Sequence, residues 1–169
     1  MNRMTKTAAL VLAGTLIAVG CNEKEYVHVG SNWGALYELE PPESTFQVEA
    51  SADAQRYELG ETLTFDIISA RSGRLWVVHV ASNDEVSVLV PADEGSDNRI
   101  DAGETVSIPM EAVRPAGESI VGFIVTTGDL GLQDVLSEGK GVPKALRLVQ
   151  DAEAWGIAKE VVAVEPAEQ

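Results

Sequence analysis

The chain contains few of the residues on which catalysis and metal binding most often depend. Among its 169 residues there is one cysteine, Cys21, and there are two histidines, His28 and His79. One cysteine excludes an internal disulfide framework, and two distant histidines cannot supply the usual ligand spacing of a zinc site. His79 lies in the middle of a predicted strand, so we interpret it as a packed or half-exposed strand residue. We therefore predict a protein that is not an enzyme and that uses no metal or cofactor.

Basic residues are scarce as well. The 12 Lys and Arg residues face 27 Asp and Glu residues, which gives a formal net charge of −15. Because a surface this acidic repels phosphate backbones, we do not expect a nucleic-acid partner. The glycine-rich motifs that bind phosphate groups are absent too. Hydrophobic residues nevertheless make up 45% of the chain, which is typical of a globular protein.

The apolar segment near the N-terminus is too short to span a membrane comfortably. It covers 13 apolar or small residues from Ala8 to Gly20, with one threonine among them, whereas a membrane-spanning helix needs about 20. Arg3 and Lys6 precede this segment. A short basic region followed by an apolar region of this length is typical of a signal peptide. We therefore predict a signal peptide over residues 1–20.

The end of this segment, AVGC, resembles the bacterial lipobox. In that family the cysteine receives a diacylglycerol group and the signal is removed in front of it, so the resemblance implies lipidation of Cys21. Ala18 departs from the leucine that is usual at its position, and a plain secretory signal stays an alternative. In such lipoproteins an aspartate directly after the cysteine favours retention in the inner membrane, and this chain has Asn22 there instead. The resemblance therefore implies a lipid-anchored cell-envelope protein on the outer membrane, facing the periplasm.

Composition divides the rest of the chain into three parts. Residues 21–43 contain the lipidated N-terminus and a tether, 44–165 form the predicted domain, and 166–169 are a short acidic tail. The tether contains three aromatic residues: Tyr26, Trp33 and Tyr37. We expect these rings to pack back on the domain, with docking of a partner as the alternative.

Short strands separated by turns dominate the domain, which predicts a mainly β fold resembling an antiparallel β-sandwich. The predicted strands are TLTFDIIS (62–69), RLWVVHV (74–80), EVSVLV (85–90), ETVSIPM (104–110), SIVGFIVTT (119–127) and GIAKEVVAVE (156–165). Because SIVGFIVTT is apolar on both faces, it should be a central strand covered on each side. One or two short helices are predicted near the C-terminus, at 128–139 and at 142–155, where Pro143 marks a helix start.

Two of these strands carry more detailed predictions. Residues 83–84, Asn-Asp, are suited to a tight hairpin turn. The strand after this turn should direct Val86, Val88 and Val90 to one face, because side chains alternate along a strand. Pro109 cannot donate a backbone hydrogen bond, so its strand should lie at a sheet edge or end there.

The loop DEGSDNRID, beginning at Asp93, offers the oxygen ligands that calcium prefers. Counted as an EF-hand loop from that residue, Asp97 and Glu104 occupy acidic positions, but Gly95 and Asn98 stand where other residue types are required. Strands rather than helices are predicted on both sides. We therefore interpret the segment as a strand connection rich in turn formers and keep calcium binding as an alternative.

The same loop belongs to a series of spaced landmarks. They are Tyr57, Gly60, Leu89, Pro91, Asp97, Asn98, Ile100, Ala102, Gly103, Ile108, Pro109, Pro115 and Gly117. Over about residues 55–130 this series resembles the bacterial domain-of-unknown-function family 4384, although the turn at Asn83 departs from the Asp-Gly of many members. Among the landmarks, Asn98, Ile100 and Gly103 fit a turn that tucks one apolar side chain inward. The resemblance implies an extracytoplasmic β-rich accessory domain, suggests binding, and carries over no catalytic residue.

The expected function is a lipid-anchored, non-enzymatic binding or assembly module of the bacterial envelope. Its partners are then the membrane, reached through the lipid on Cys21, and an envelope protein. One alternative is an accessory outer-membrane lipoprotein of a secretion machine. Another is a carboxylate-based hydrolase, which requires a concave site with two carboxylates about 5 to 9.5 Å apart.

Overall fold

The computed structural model describes residues 30–41, 45–93, 96–128, 142–150 and 152–166. In chain order they form α1 (Ser31–Glu38), β1 (Val48–Ala52), β2 (Arg56–Glu58), β3 (Thr62–Ser69), β4 (Gly73–Val80), β5 (Val86–Val90), β6 (Arg99–Ile100), β7 (Thr105–Glu111), β8 (Gly117–Thr126), α2 (Val142–Gln150) and β9 (Trp155–Glu165). The predicted signal peptide, Cys21 and nearly all of the predicted helix at 128–139 lie outside these ranges. Within the described ranges, no helix has the length and apolarity needed to cross a membrane.

Two sheets form the body of the domain. The smaller has the order β1-β3-β7 and is antiparallel throughout. The larger has the order β2-β9-β8-β4-β5, and β6 also pairs with β4. Among the described strand pairs, β2 and β9 are parallel and the others antiparallel. This confirms the predicted mainly β, sandwich-like fold.

Alternating apolar residues build the core between the sheets. β3 directs Leu63, Phe65 and Ile67 inward, and all three are fully buried. Phe65 meets Phe123 of β8, with the two ring centroids 5.0 Å apart. Full burial of such a side chain contributes about 1.5–3 kcal/mol. β7 lies at the edge of the smaller sheet, as the position of Pro109 predicts.

A second core lies between the larger sheet and the two helices. β8 is buried on both faces: Phe123 belongs to the core between the sheets, whereas Ile120 and Ile124 face the helices. The prediction of a central, doubly covered strand is therefore confirmed. Pro143 lies in the first turn of α2, whose apolar face supplies Val142, Ala145, Leu146 and Val149.

The helix α1 lies within the segment predicted to be a tether, and the residue pattern does not predict it. Leu36 is fully buried and packs on Gly122, where an added Cβ would lie 2.7 Å from Leu36 Cδ1. Trp33 packs against the same core and stacks on Tyr37 at 5.2 Å between ring centroids. Trp33 thus packs back on the domain as expected, whereas Tyr37 is 57% exposed and Tyr26 lies outside the described residues.

Both ends of α1 are capped by residues far away in the sequence. The carboxylate of Asp84 accepts hydrogen bonds from two backbone N–H groups of the first turn, at 2.9 and 3.2 Å. At the other end, Lys159 Nζ donates to two backbone carbonyls at 2.5 and 2.9 Å. A negative group at the N-terminus and a positive group at the C-terminus both stabilise a helix. The local N-cap, Gly30, has no side chain to offer, so local sequence gives no sign of this helix.

The hairpin of β4 and β5 turns at residues 83–84 as predicted. The valine side chains of β5, however, do not all lie on one face of the sheet. The register with β4 shifts between Val88 and Val90, so Leu89 is an extra residue in the strand. Val86 packs on the helix-side core, whereas Val90 packs on the core between the sheets. The prediction that the three valines share one face is therefore wrong, because a β-bulge reverses the alternation.

Candidate functional site

The two ends of the sandwich are built differently, and β4 connects them. One end, here named the loop end, is formed by residues 69–74 and 91–103. The other, named the cleft end, is formed by residues 79–87 and 109–119. Antiparallel pairing of β4 with β8 fixes this arrangement, because β8 begins at the cleft end and finishes at the loop end.

Two side chains of the loop end are buried and packed or paired within the protein, beneath an open and more polar surface depression of about 340 Å³ beside Arg74, Arg99 and Asp101. Asn98 is only 4% exposed; its amide donates to the carbonyl of Leu75 at 3.1 Å and accepts from the Arg74 guanidinium at 2.9 Å. Ile100 is 2% exposed and joins the core between the sheets. Gly103 has a φ of 76°, which favours glycine. The prediction that this turn tucks one apolar side chain inward is confirmed.

Contacts within the loop support its interpretation as a strand connection. Asp97 accepts a hydrogen bond from the backbone N–H of Arg99 at 3.1 Å, a local turn that aspartate often forms. Residues 94 and 95 are not described. In the described ranges, no group of three His, Cys, Asp or Glu residues could hold a metal ion. The alternative of calcium binding stays a prediction.

The cleft end opens between the two sheets into a cleft of about 330 Å³. One wall is the continuous stretch 108–113, which is the end of β7 and the residues after it. The rest of the lining comes from the larger sheet and the turn before β8: His79, Ala81, Ser87, Leu89, Pro115, Ser119 and Val164. Most of these side chains are apolar, so the cleft can hold an apolar group.

A buried hydroxyl lies in the lining of this cleft. Ser119 is 3% exposed, and its Oγ has no hydrogen-bond partner among the described residues. His79 Nδ1 lies 3.2 Å from Ser87 Oγ. Burial lowers the pKa of His79, so its ring is neutral at pH 7. The cleft therefore combines apolar walls with a few uncharged hydrogen-bonding groups.

Charge is confined to the rim. Glu111 is exposed and is the one carboxylate among the described residues that line the cleft. A carboxylate-based hydrolase needs two facing carboxylates, and the described lining supplies one.

Family landmarks shape the cleft end. The bond between Arg114 and Pro115 is cis, and Gly117 has a φ of 130°. A Cβ at Gly117 would lie 2.8 Å from the Cβ of Ser82 in the β4–β5 turn. Ser82 Oγ also donates to the carbonyl of Ala116 at 3.0 Å. These contacts hold the hairpin tip against the turn before β8.

Tyr57, another of the family landmarks, has a structural role. Its hydroxyl lies 2.7 Å from the Asp53 carboxylate and accepts the N–H of Ala54 at 2.8 Å. Burial, followed by the hydrogen bond to Asp53, raises the pKa of Tyr57 to about 12. The pKa of Asp53 is lowered, first by the backbone N–H of Thr64 and then by Tyr57. This network fixes the connection between β1 and β2.

The cleft was not predicted from the sequence. His79 is half-buried in β4, so its interpretation as a packed or half-exposed strand residue is confirmed. Ser119 belongs to the apolar run predicted as a central strand, and a serine among inward-facing apolar residues was the one available indication. Cys21, the predicted lipidation site, lies outside the described residues.

Comparison with known proteins gives one family. Residues 56–129 match the family described as Domain of unknown function (DUF4384). No curated protein matches the chain. The matched segment runs from β2 past the end of β8 and includes the loop end and nearly all of the cleft lining. The chain therefore contains a DUF4384 domain, whose function is unknown, within the region where the spaced landmarks predict it.

Proposed function

We propose that the protein is a lipid-anchored, non-enzymatic binding module of the bacterial cell envelope, and that the cleft is its binding site. The observation that carries this proposal is the hydroxyl of Ser119, which is buried without a partner among the described residues. Leaving a buried polar group unpaired costs about 1–3 kcal/mol. A ligand that bonds this hydroxyl recovers that free energy on binding.

The size and lining of the cleft support the same conclusion. Its volume of about 330 Å³ falls at the lower end of the range for binding pockets, about 300–1,000 Å³. Such pockets combine apolar walls with a few placed polar groups. Here His79, Ser87 and Ser119 supply the polar groups.

The proposed anchor is the lipid on Cys21, which a short stretch of chain separates from Gly30. Gly30, where the described chain begins, is next to Asp84 in the β4–β5 turn. The stretch from Cys21 to α1 can span at most about 35 Å when fully extended. With acyl chains in the outer membrane, the cleft end therefore stays near the periplasmic membrane surface, where an envelope partner is within reach.

The anchor is tested by labelling cells with a fatty-acid analogue and separating membranes from soluble protein. We expect the native protein to be labelled and membrane-bound, and Cys21→Ala to be unlabelled and released. As a matched control, Asn22→Asp should stay labelled but move to the inner membrane. An unlabelled native protein, or Cys21→Ala that stays in the membrane fraction, would overturn the anchor.

The binding site is tested by placing a photo-crosslinking amino acid at Val113, a cleft-lining residue that is 54% exposed. The control position is Ile68, 39% exposed and outside the cleft lining. We expect a discrete cross-linked product from Val113 in intact cells and none from Ile68. Identical products from both positions, or no product from either, would contradict a binding role. A partner from a secretion complex would support the narrower role of a secretion accessory lipoprotein.

A further inference from the structure

We infer that the cleft receives a basic, extended peptide segment of a partner protein, which pairs with β5 as an added strand and inserts one aromatic side chain. This inference rests on the proposed binding function and names the chemistry of the partner. It depends on the edge of β5, which no other described strand pairs with, on the interrupted edge of β7, on the lining of the cleft and on the charges at its rim.

Among the described residues, the outer edge of β5 has backbone groups without a strand partner. β5 ends the larger sheet on its side, and the short β6 pairs with a different part of β4. The N–H of Ala81 donates to the carbonyl of Glu85 across the hairpin, so the backbone carbonyl of Glu85 points toward β4. Because the direction of the backbone groups alternates from one residue to the next, the N–H and C=O groups of Val86 and Val88 point away from β4. An incoming strand can bond to these groups, as in other cases of strand addition.

The facing edge, β7, is less suited to an added strand. Pro109 lies in the middle of β7 and has no N–H to donate. The side chains of Ile108 and Met110 point toward the core between the sheets, and both line the cleft. β7 is therefore better placed to cover an incoming strand than to pair with it.

An added strand on β5 would direct alternate side chains into the cleft. Ser87 and Leu89 of β5 line the cleft, so residues beside them on the new strand point into the same space. The hydroxyl of Ser119 offers a hydrogen bond to a side chain that is apolar but has a polar tip. Tyrosine and tryptophan have this combination, and their polar atoms usually find a partner when buried.

The charges around the mouth favour basic residues on either side of that aromatic one. Glu85, Glu111 and Glu118 are exposed at the cleft end, against Arg114. The whole chain has a net charge of −15. Complementary charge raises the association rate and weakens with salt. An acidic peptide is therefore disfavoured at the same site.

The test is an NMR titration of the mature chain, residues 21–169 with Cys21→Ala, with a synthetic nine-residue peptide. The peptide alternates lysine and valine around a central tryptophan. We expect shifts at the amides of Val86, Val88 and Ser119. A peptide with glutamate in place of lysine should bind at least tenfold more weakly, and so should one whose backbone is N-methylated at alternate residues.

Two proline variants separate strand pairing from general disruption. Val88→Pro removes an outward N–H from β5, whereas Thr105→Pro changes the first residue of β7, where proline is tolerated. We expect Val88→Pro to keep its urea midpoint and to lose peptide binding at least tenfold. Thr105→Pro should retain binding. If Val88→Pro lowers the urea midpoint, the N-methylated peptide, which leaves the protein unchanged, decides the question.

Several outcomes would overturn the inference. Equal affinity for the N-methylated peptide would show that strand pairing is not used. Equal affinity for the acidic peptide would show that the charges at the rim do not select a basic partner. Chemical-shift changes confined to other surfaces would show that the peptide does not bind in the cleft. If no peptide binds while Val113 still gives its cross-link in cells, this inference fails and the proposed function stands. If the cross-link is absent as well, both fail.

Discussion

The loop end and the cleft end of this sandwich differ in whether a buried polar side chain has a hydrogen-bond partner. At the loop end Asn98 is buried, but its amide bonds to both Leu75 and Arg74. At the cleft end Ser119 is buried to the same degree, and its hydroxyl has no partner among the described residues. One end is thus completed by the chain itself, and the other offers a bond to something else. Neither burial nor an unpaired group identifies a binding site alone, since Trp155 Nε1 is also buried without a described partner but belongs to the core under the helices. At the cleft end the unpaired hydroxyl lies in the lining of an open volume.

The apolar residues at the two ends follow the same division. Ile100 fills the space between the sheets at the loop end and is 2% exposed. At the cleft end Met110 and Leu89 are only partly buried around an open volume. Proteins often give up stability where they bind ligands. Substitutions should therefore be costly for folding at the buried loop-end residues Asn98 and Ile100, and mild at the partly exposed residues of the cleft rim.

The largest effect is expected at Ile100. Ile100→Ala leaves a cavity in the core between the sheets and should destabilise the fold by about 2–5 kcal/mol. The measurement is the free energy of unfolding in urea. Val113→Ala, at the rim of the cleft, serves as the control and should change stability by less than about 0.5 kcal/mol. Equal effects of the two substitutions would abolish the contrast between the ends.

Asn98 should come next. Asn98→Ala removes the amide that pairs with Leu75 and Arg74, and we expect a loss of about 1–3 kcal/mol because the Leu75 carbonyl loses a buried partner. Asp97→Ala removes only exposed contacts with Arg99, a backbone hydrogen bond and an ion pair, and is the neighbouring control. Urea midpoints of the two variants decide the matter. An Asn98→Ala protein as stable as the native one would mean that these bonds contribute nothing.

Ser119→Ala should behave in the opposite way. It removes a hydroxyl that has no described partner, so stability should stay within about 1 kcal/mol of the native value or rise. The same urea measurement, run in parallel with Asn98→Ala, gives the comparison. A loss as large as that of Asn98→Ala would show that Ser119 has a structural role and would weaken the case for the cleft.

The smallest effect concerns pH and His79. Because burial lowers its pKa in the folded state, the unfolded chain binds more protons below about pH 6.5. The stability that the folded protein has with a neutral His79 is therefore fully present above that pH, and it is lost as the pH falls toward the pKa of His79 in the folded state. His79→Gln should flatten this part of the curve of unfolding free energy against pH. Taking the difference between the two proteins cancels other groups, including Glu160, whose pKa is raised by burial.

Local sequence predicts those parts of the fold that local physics controls. The alternation in β3, the doubly apolar β8 and the turn at 83–84 all appear where their patterns place them. The inward turn of Ile100 was likewise predicted. In each case the determining residues are neighbours in the sequence.

The features that escaped prediction depend on residues distant in the sequence. The helix α1 takes its caps from Asp84 and Lys159. The face of Val90 depends on a register shift against β4, which one strand alone does not show. The cleft forms only where β5, β7 and β8 come together in the folded protein, so the sequence around Ser119 does not show that its hydroxyl lies in a cleft. Such features follow from tertiary packing and not from periodicity.

The most direct test of the account is to fill the cleft without unfolding the protein. Ser119→Leu places an apolar side chain where the unpaired hydroxyl now lies. Ile100→Val is a mild change at the loop end and serves as the control. Both variants are to be compared for in-cell cross-linking from Val113, with urea midpoints measured alongside. We predict that Ser119→Leu stays folded and loses the cross-linked product, whereas Ile100→Val keeps it. A folded Ser119→Leu protein that still gives the product in full yield would contradict the claim that the cleft is the binding site.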